Sequence, residues 1–132
     1  MPTFDNDPSI PDEAQLWRRI RPDWVSWDAE FGRKRPSRQA FQDHRESGAM
    51  SFCRADLVEQ PSVVLEGWDG YFLVSLSVGF LRGLGFAVTH DPPRNDDPGH
   101  TWVKGPASKK IRSTLARESV WVVAPPDVDL PI

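Results

Sequence analysis

A single cysteine, Cys53, in 132 residues excludes an intramolecular disulfide framework and fits a reducing compartment. Taken alone, it reads as a small core residue on a strand. Histidine is nearly as scarce. His44, His90 and His100 occur with no C-x-x-C, no H-E-x-x-H and no zinc-finger spacing. Together with Asp43, Asp91, Asp96 and Asp97 they read as solvated background, so neither a metal nor a cofactor is expected. Long apolar runs are missing too. The longest, Tyr71 to Leu81, holds two serines and a glycine and is closed by Asp69 and Arg82, which is too short to span a bilayer. The opening Met-Pro-Thr-Phe-Asp-Asn-Asp lacks the basic start and apolar run of an export signal, so the expectation is a cytoplasmic protein with no membrane partner. Neither G-x-G-x-x-G nor G-x-x-x-x-G-K-[ST] occurs, which removes the ordinary dinucleotide and phosphate-loop readings. The G-x-S-x-G turn of serine hydrolases is absent as well.

What is present is a chain able to fold. A hydrophobic share of 39% with 27% charged residues supports a packed core, while 13 prolines and 9 glycines keep regular elements short and argue against a helical bundle. The length fits one domain. Net charge is only −3, but its distribution is uneven: residues 18–54 carry nine basic and five acidic side chains, and residues 100–118 carry five basic and one acidic. A mildly acidic protein with a positive face suits a phosphate-bearing or carboxylate-bearing partner. No duplex-binding motif accompanies that charge, so nucleic acid is not favoured as the partner.

Residues 1–14, rich in proline and aspartate, read as a flexible lead, residues 15–126 as the domain and residues 127–132 as a tail. Leu16, Arg18 and Ile20 alternate with Trp17 and Arg19, the pattern of a strand ended by Pro22. A further short strand fits between Asp23 and Pro36. Ser37 is placed to cap one helical turn through its hydroxyl, and Met50–Cys53 reads as a strand. Tyr71–Leu84 is expected to be a buried helix, because Leu73, Leu76, Phe80 and Leu84 recur at helical spacing and Gly85 would end it. The competing reading is a strand, since Val74, Leu76, Val78 and Phe80 also alternate with small residues. Phe86–Thr89, His100–Lys104 and Val120–Val123 read as strands. Ser108 opens an amphipathic helix with Ile111, Leu115 and Ala116 on one face and Lys109, Lys110, Arg112 and Arg117 on the rest. The expected architecture is a single α+β domain with a mixed or mostly antiparallel sheet, one buried helix and one amphipathic helix.

Two chemistries deserve weighing. A nucleophile–base site would pair Cys53 or Ser37 with His44, His90 or His100, but sequence alone brings none of them together. An anion site would use Arg18, Ser37, Arg38 and His100, with Arg35 and Lys104 nearby, because an arginine fork, a hydroxyl and a helical turn form a sensible phosphate or carboxylate clamp. Arg18 shares a strand face with Leu16 and Ile20, so it is expected to be partly buried and to need an acceptor. The six tryptophans read chiefly as core anchors; for Trp24 and Trp27, which lie beside the basic segment, stacking against a base or a partner side chain is the alternative.

The stretches Leu16-Trp17-Arg18-Arg19-Ile20, Arg35-Pro36-Ser37 with Ala40-Phe41, Met50-Ser51-Phe52 and Pro98-Gly99-His100-Thr101-Trp102-Val103-Lys104-Gly105 resemble a group of small bacterial proteins without an assigned activity. The resemblance runs from residue 16 to about 125 and implies a free-standing bacterial domain. Arginine on a first strand followed by a serine-bearing turn also looks like ADP-ribosyltransferase-type toxins, which implies an alternative as an NAD- or nucleotide-using enzyme. The later glutamate that such enzymes require has no counterpart that can be placed. The sequence therefore points to a binding or interaction module with an anion site, its partner a protein or an anionic small molecule.

Overall fold

Strand β1 (Gln15–Ile20) carries the alternation expected of it, with Leu16 and Ile20 fully buried on one side and Trp17 on the other. The structure, a computed structural model, describes residues 6–30, 32–42, 48–58, 60–90, 99–106 and 108–125. Pro22 breaks β1 into a short 3-10 turn (Pro22–Trp24), and a hairpin of β2 (Val25–Asp28) and β3 (Arg33–Pro36) follows. A second 3-10 turn (Arg38–Phe41) leads toward β4 (Met50–Arg54). Two single-turn helices, α1 (Ala55–Val58) and α2 (Pro61–Val64), precede β5 (Phe72–Ser77) and α3 (Val78–Gly83). The chain then forms β6 (Ala87–His90), β7 (His100–Lys104), α4 (Lys109–Glu118) and β8 (Val120–Val123).

Six strands make one antiparallel sheet in the order β6-β7-β4-β1-β5-β8, with β2–β3 as a separate hairpin. This is a single small α+β domain, and the sheet is antiparallel throughout. One face of the sheet, with Leu16, Ile20, Met50, Phe52, Val74, Leu76, Val88 and Val103, packs against α3, α4 and the Arg38–Phe41 turn through Leu81, Leu115 and Phe41. The opposite face gathers Trp17, Cys53 and Leu73 under Val58, Val64 and Leu65 of the α1–α2 segment. None of the helices is long and apolar enough to cross a membrane among the described residues.

Two expectations give way. Tyr71–Leu84 is not one helix but β5 followed by α3, the change falling at Ser77, whose hydroxyl accepts from the Phe80 amide. Strand β5 lies between β1 and β8 with Val74 and Leu76 buried on one face and Leu73 on the other. A strand covered on both faces reads as a continuous apolar run, and its chance spacing imitates a helix. Gly85 does follow α3 with φ of 99°, the left-handed conformation that favours glycine at a helix end.

The second concerns the lead over residues 1–14. Residues 6–14 are packed: Ile10 is fully buried in the main core, and the Asp7 amide donates to the Val88 carbonyl at 2.8 Å. Arg82 holds the segment by donating to the side chains of Asn6 and Asp12 and to the carbonyls of Asp7 and Ile10, at 2.7–2.8 Å. Gly79 lets it approach. The Gly79 amide donates to the Asp12 carbonyl, and a Cβ at this position would lie 3.1–3.2 Å from Asp12 Cβ and its carbonyl oxygen. Residues 1–5, 91–98 and 126–132, which include the expected tail and the Asp91, Asp96 and Asp97 loop, lie outside the described residues.

Candidate functional site

Arg18 occupies the core side of β1, and its guanidinium is engaged by the backbone. Nε donates to the Ala40 carbonyl at 2.5 Å, Nη1 to Ser51 at 2.8 Å and Nη2 to Gln42 at 3.2 Å. The rings of Phe41 and Phe52 lie beneath it, 5.8 and 5.4 Å from the guanidinium carbon. Backbone pairing of β1 with β4 covers only Leu16 with Arg54 and Trp17 with Cys53. Where that ladder stops, the Arg18 side chain gives the Ser51 carbonyl a donor and ties β4 to the end of the Arg38–Phe41 turn. The acceptors that burial of Arg18 demands are therefore backbone carbonyls, which makes it a brace within the fold.

His100 lies on the other side of the sheet. Register places it opposite Cys53, which shares a face with Trp17, whereas Arg18 alternates to the reverse face. His100 Nε2 is 2.7 Å from Ser51 Oγ, and its ring meets Trp102 edge to face at 4.6 Å. This pair joins β4 to β7 as a cross-strand contact. Ser37 starts the 3-10 turn without capping it: its amide donates to the Trp24 carbonyl at 2.6 Å, while its Oγ is buried with no hydrogen-bond partner among the described residues. Arg38 is exposed on the same turn. The sheet thus separates Arg18 from His100, and the four residues do not line one small-ligand site.

Of the nucleophile–base candidates, His44 lies outside the described residues, Ser37 has no histidine bonded to it, and Cys53 is the one brought beside a histidine: it lies opposite His100 in the β4–β7 register, buried beneath α1–α2, with the His100 ring bonded to Ser51. Among the described residues, no three His, Cys, Asp or Glu side chains gather as metal ligands.

A different constellation emerges where the two basic stretches meet. Helix α4, capped by Ser108 Oγ accepting from the Ile111 amide, buries Leu115 and Ala116 and packs chiefly on the Arg38–Phe41 turn and on β3. That packing brings Arg33, Lys34, Arg35 and Arg38 beside the helix that bears Lys109, Lys110, Arg112 and Arg117. Arg33 Nη2 reaches the Arg117 carbonyl at 3.4 Å, and Trp121 Nε1 donates to the Lys34 carbonyl at 3.1 Å. Residues 25–41 and 108–118 together hold eight basic and three acidic side chains. Two of those acids are already engaged: buried Asp28 pairs with Arg35 at 3.2 Å, and Glu118 pairs with Arg117 at 3.5 Å. Arg112 Nε and Ser37 Oγ are donor atoms in these touching elements with no partner among the described residues. Trp27, opposite Lys34 in the hairpin, is 64% exposed. Sequence reasoning singled out both basic segments but not their meeting, which depends on a helix docking across some 70 residues of chain.

No family model, curated protein or solved structure matches the chain.

Proposed function

We propose that the protein is a binding module rather than a catalyst, and that its basic face, formed by the β2–β3 hairpin, the Arg38–Phe41 turn and α4, takes an anionic partner bearing phosphate or carboxylate groups. The packing of α4 on β3 and the turn carries this reading, because it concentrates cations that the chain keeps far apart. Outside the two segments the chain holds eight basic and sixteen acidic residues, so the field of the molecule orients an approaching anion toward this face. The NAD-using alternative would need Arg18 to present its guanidinium to a ligand, and three backbone carbonyls already engage it.

Binding of inorganic polyphosphate tests the proposal. Affinity is expected to fall as salt rises, and the double substitution Lys109→Glu and Lys110→Glu to weaken binding and flatten the salt slope by roughly one unit per lost phosphate contact. Equal binding by wild type and the double variant would place the anion elsewhere. Release of nicotinamide from NAD by the purified protein would favour the enzyme alternative.

A further inference from the structure

We infer that the seam between α4 and the Arg38–Phe41 turn binds a single phosphate group through the Arg112 guanidinium and the Ser37 hydroxyl, which rests on the basic-face reading and names its ligand. Buried donors nearly always have acceptors, so a donor without one marks a place where an acceptor belongs. Among the described residues four buried side-chain polar atoms lack a hydrogen bond, and three of them, Arg35 Nε, Ser37 Oγ and Arg112 Nε, belong to the junction of β3, the turn and α4. Arg35 Nε has the Asp28 carboxylate beside it at 3.2 Å. No acidic side chain pairs with Arg112 among the described residues. Arg112 precedes Leu115 by three residues and Ala116 by four, which puts it on the buried stripe of α4, and a helical side chain leans toward the helix start. That stripe packs on the turn that Ser37 opens, where Ala40 and Phe41 are buried. Strand β3 starts at the last turn of α4, where Arg33 Nη2 reaches the Arg117 carbonyl, and the turn following β3 makes the main contact with the helix. The chain from Arg33 to Ser37 therefore runs back along α4 toward its start. Four steps of strand cover about 13 Å and five of helix, from Arg117 back to Arg112, about 7.5 Å, so Ser37 arrives at the turn of helix that the Arg112 side chain overlies. The acids nearby are engaged or distant: Glu118 pairs with Arg117 at the far end of α4, Asp28 is held by Arg35 and the Glu30 amide, and Glu30 itself stands at the hairpin turn before β3. Arg38 follows Ser37 and Lys109 lies one helical turn before Arg112, both exposed, which adds positive charge on the solvent side. A hydroxyl and a guanidinium reaching one group from two elements suit a phosphoryl, whose oxygens point tetrahedrally. A carboxylate presents two oxygens along one edge, which the arginine fork alone engages.

Calorimetric titration of the full chain with inorganic phosphate, and with acetate at matched ionic strength, tests this. Phosphate should bind more tightly than acetate and raise the melting temperature as its concentration rises. Ser37→Ala should weaken phosphate binding about tenfold without lowering the melting temperature in phosphate-free buffer, because a hydroxyl with no internal partner leaves no bond to lose. Arg112→Lys keeps the charge and removes the planar fork, so it should weaken phosphate binding by a similar factor, whereas diffuse attraction would spare it. Phosphate affinity indifferent to both substitutions, or equal affinity for acetate, overturns the seam site. A lower melting temperature in Ser37→Ala with phosphate affinity intact overturns it too, since the hydroxyl would then serve the fold alone. Either result, combined with salt-dependent polyphosphate binding that is lost in the Lys109→Glu, Lys110→Glu variant, leaves the basic face standing. Absence of binding to phosphate and polyphosphate alike overturns both.

Discussion

At the scale of single residues, Arg18 shows how the same side chain can look like a ligand clamp and serve as a brace. A guanidinium whose neighbours are Phe41, Phe52 and three carbonyls contributes by satisfying acceptors that would otherwise be stranded at the edge of a broken ladder. Arg18→Met keeps much of the volume and removes the donors. The two part-buried carbonyls, of Ala40 and Ser51, then lose their charged partner, at a cost of about 1–3 kcal/mol each. A chemical melt should show this loss with affinity for polyphosphate unchanged. A weakened affinity with unchanged stability would return Arg18 to the binding site. Asp56 offers a pH test at the same scale. Its hydrogen bond from Arg54, at 2.7 Å and joined by a second at 3.1 Å, holds its carboxyl below the ordinary aspartate range. Ser9 does the same for Asp7 through its hydroxyl and amide. Lowered folded-state values mean that this stability is present above the unfolded aspartate value, near about 3.9, and is lost as pH falls through the folded one. Asp56 is half exposed, so solvent screening limits the pair to about 0–1 kcal/mol. Asp56→Asn should lower the melting temperature slightly at neutral pH, and the difference from wild type should close in strong acid.

At the scale of elements, the instructive pieces are the N-terminal segment and the β5–α3 pair. Residues 6–14 have the composition of a solvated lead, and two buried apolar side chains, Ile10 and Ala14, decide otherwise. Ile10 enters the main core while Arg82 and Gly79 hold the backbone on either side of it. Ile10→Ala should therefore cost about 2–5 kcal/mol, as truncation of a buried aliphatic side chain does. An unchanged unfolding midpoint in urea would make the segment an appendage after all. For β5 and α3, local signals conflict because the run serves two environments: a strand buried on both faces, then a helical turn with Val78 and Leu81 turned inward. Elements whose two faces differ were plainer to read. α4 displays its period because half of it meets water, and β1 because Trp17 and Arg19 on its second face are amphipathic and differ from Leu16 and Ile20 on the first, while Ser108 marks the start of α4 by hydrogen bonding and Gly85 the end of α3 by backbone conformation.

At the scale of the whole molecule, charge and topology divide the work. The strand order carries β1 to the middle of the sheet and puts His100 and Arg18 on opposite faces, which dissolves the four-residue clamp drawn from linear spacing. The same fold assembles a different positive surface by laying α4 across β3 and the turn at Arg38–Phe41. Whatever depends on a residue and its immediate neighbours was legible in the sequence: most of the strands, the amphipathic helix and its cap, the α+β class, and the two basic stretches. These follow from side-chain period, capping chemistry and composition, all of which act over a few residues. Register, sheet order and docking came only with the tertiary structure, because they are set by which distant apolar faces bury one another. A slip of one residue in a strand moves a side chain to the reverse face, and nothing in the spacing of Arg18, Ser37, Arg38 and His100 encodes that choice.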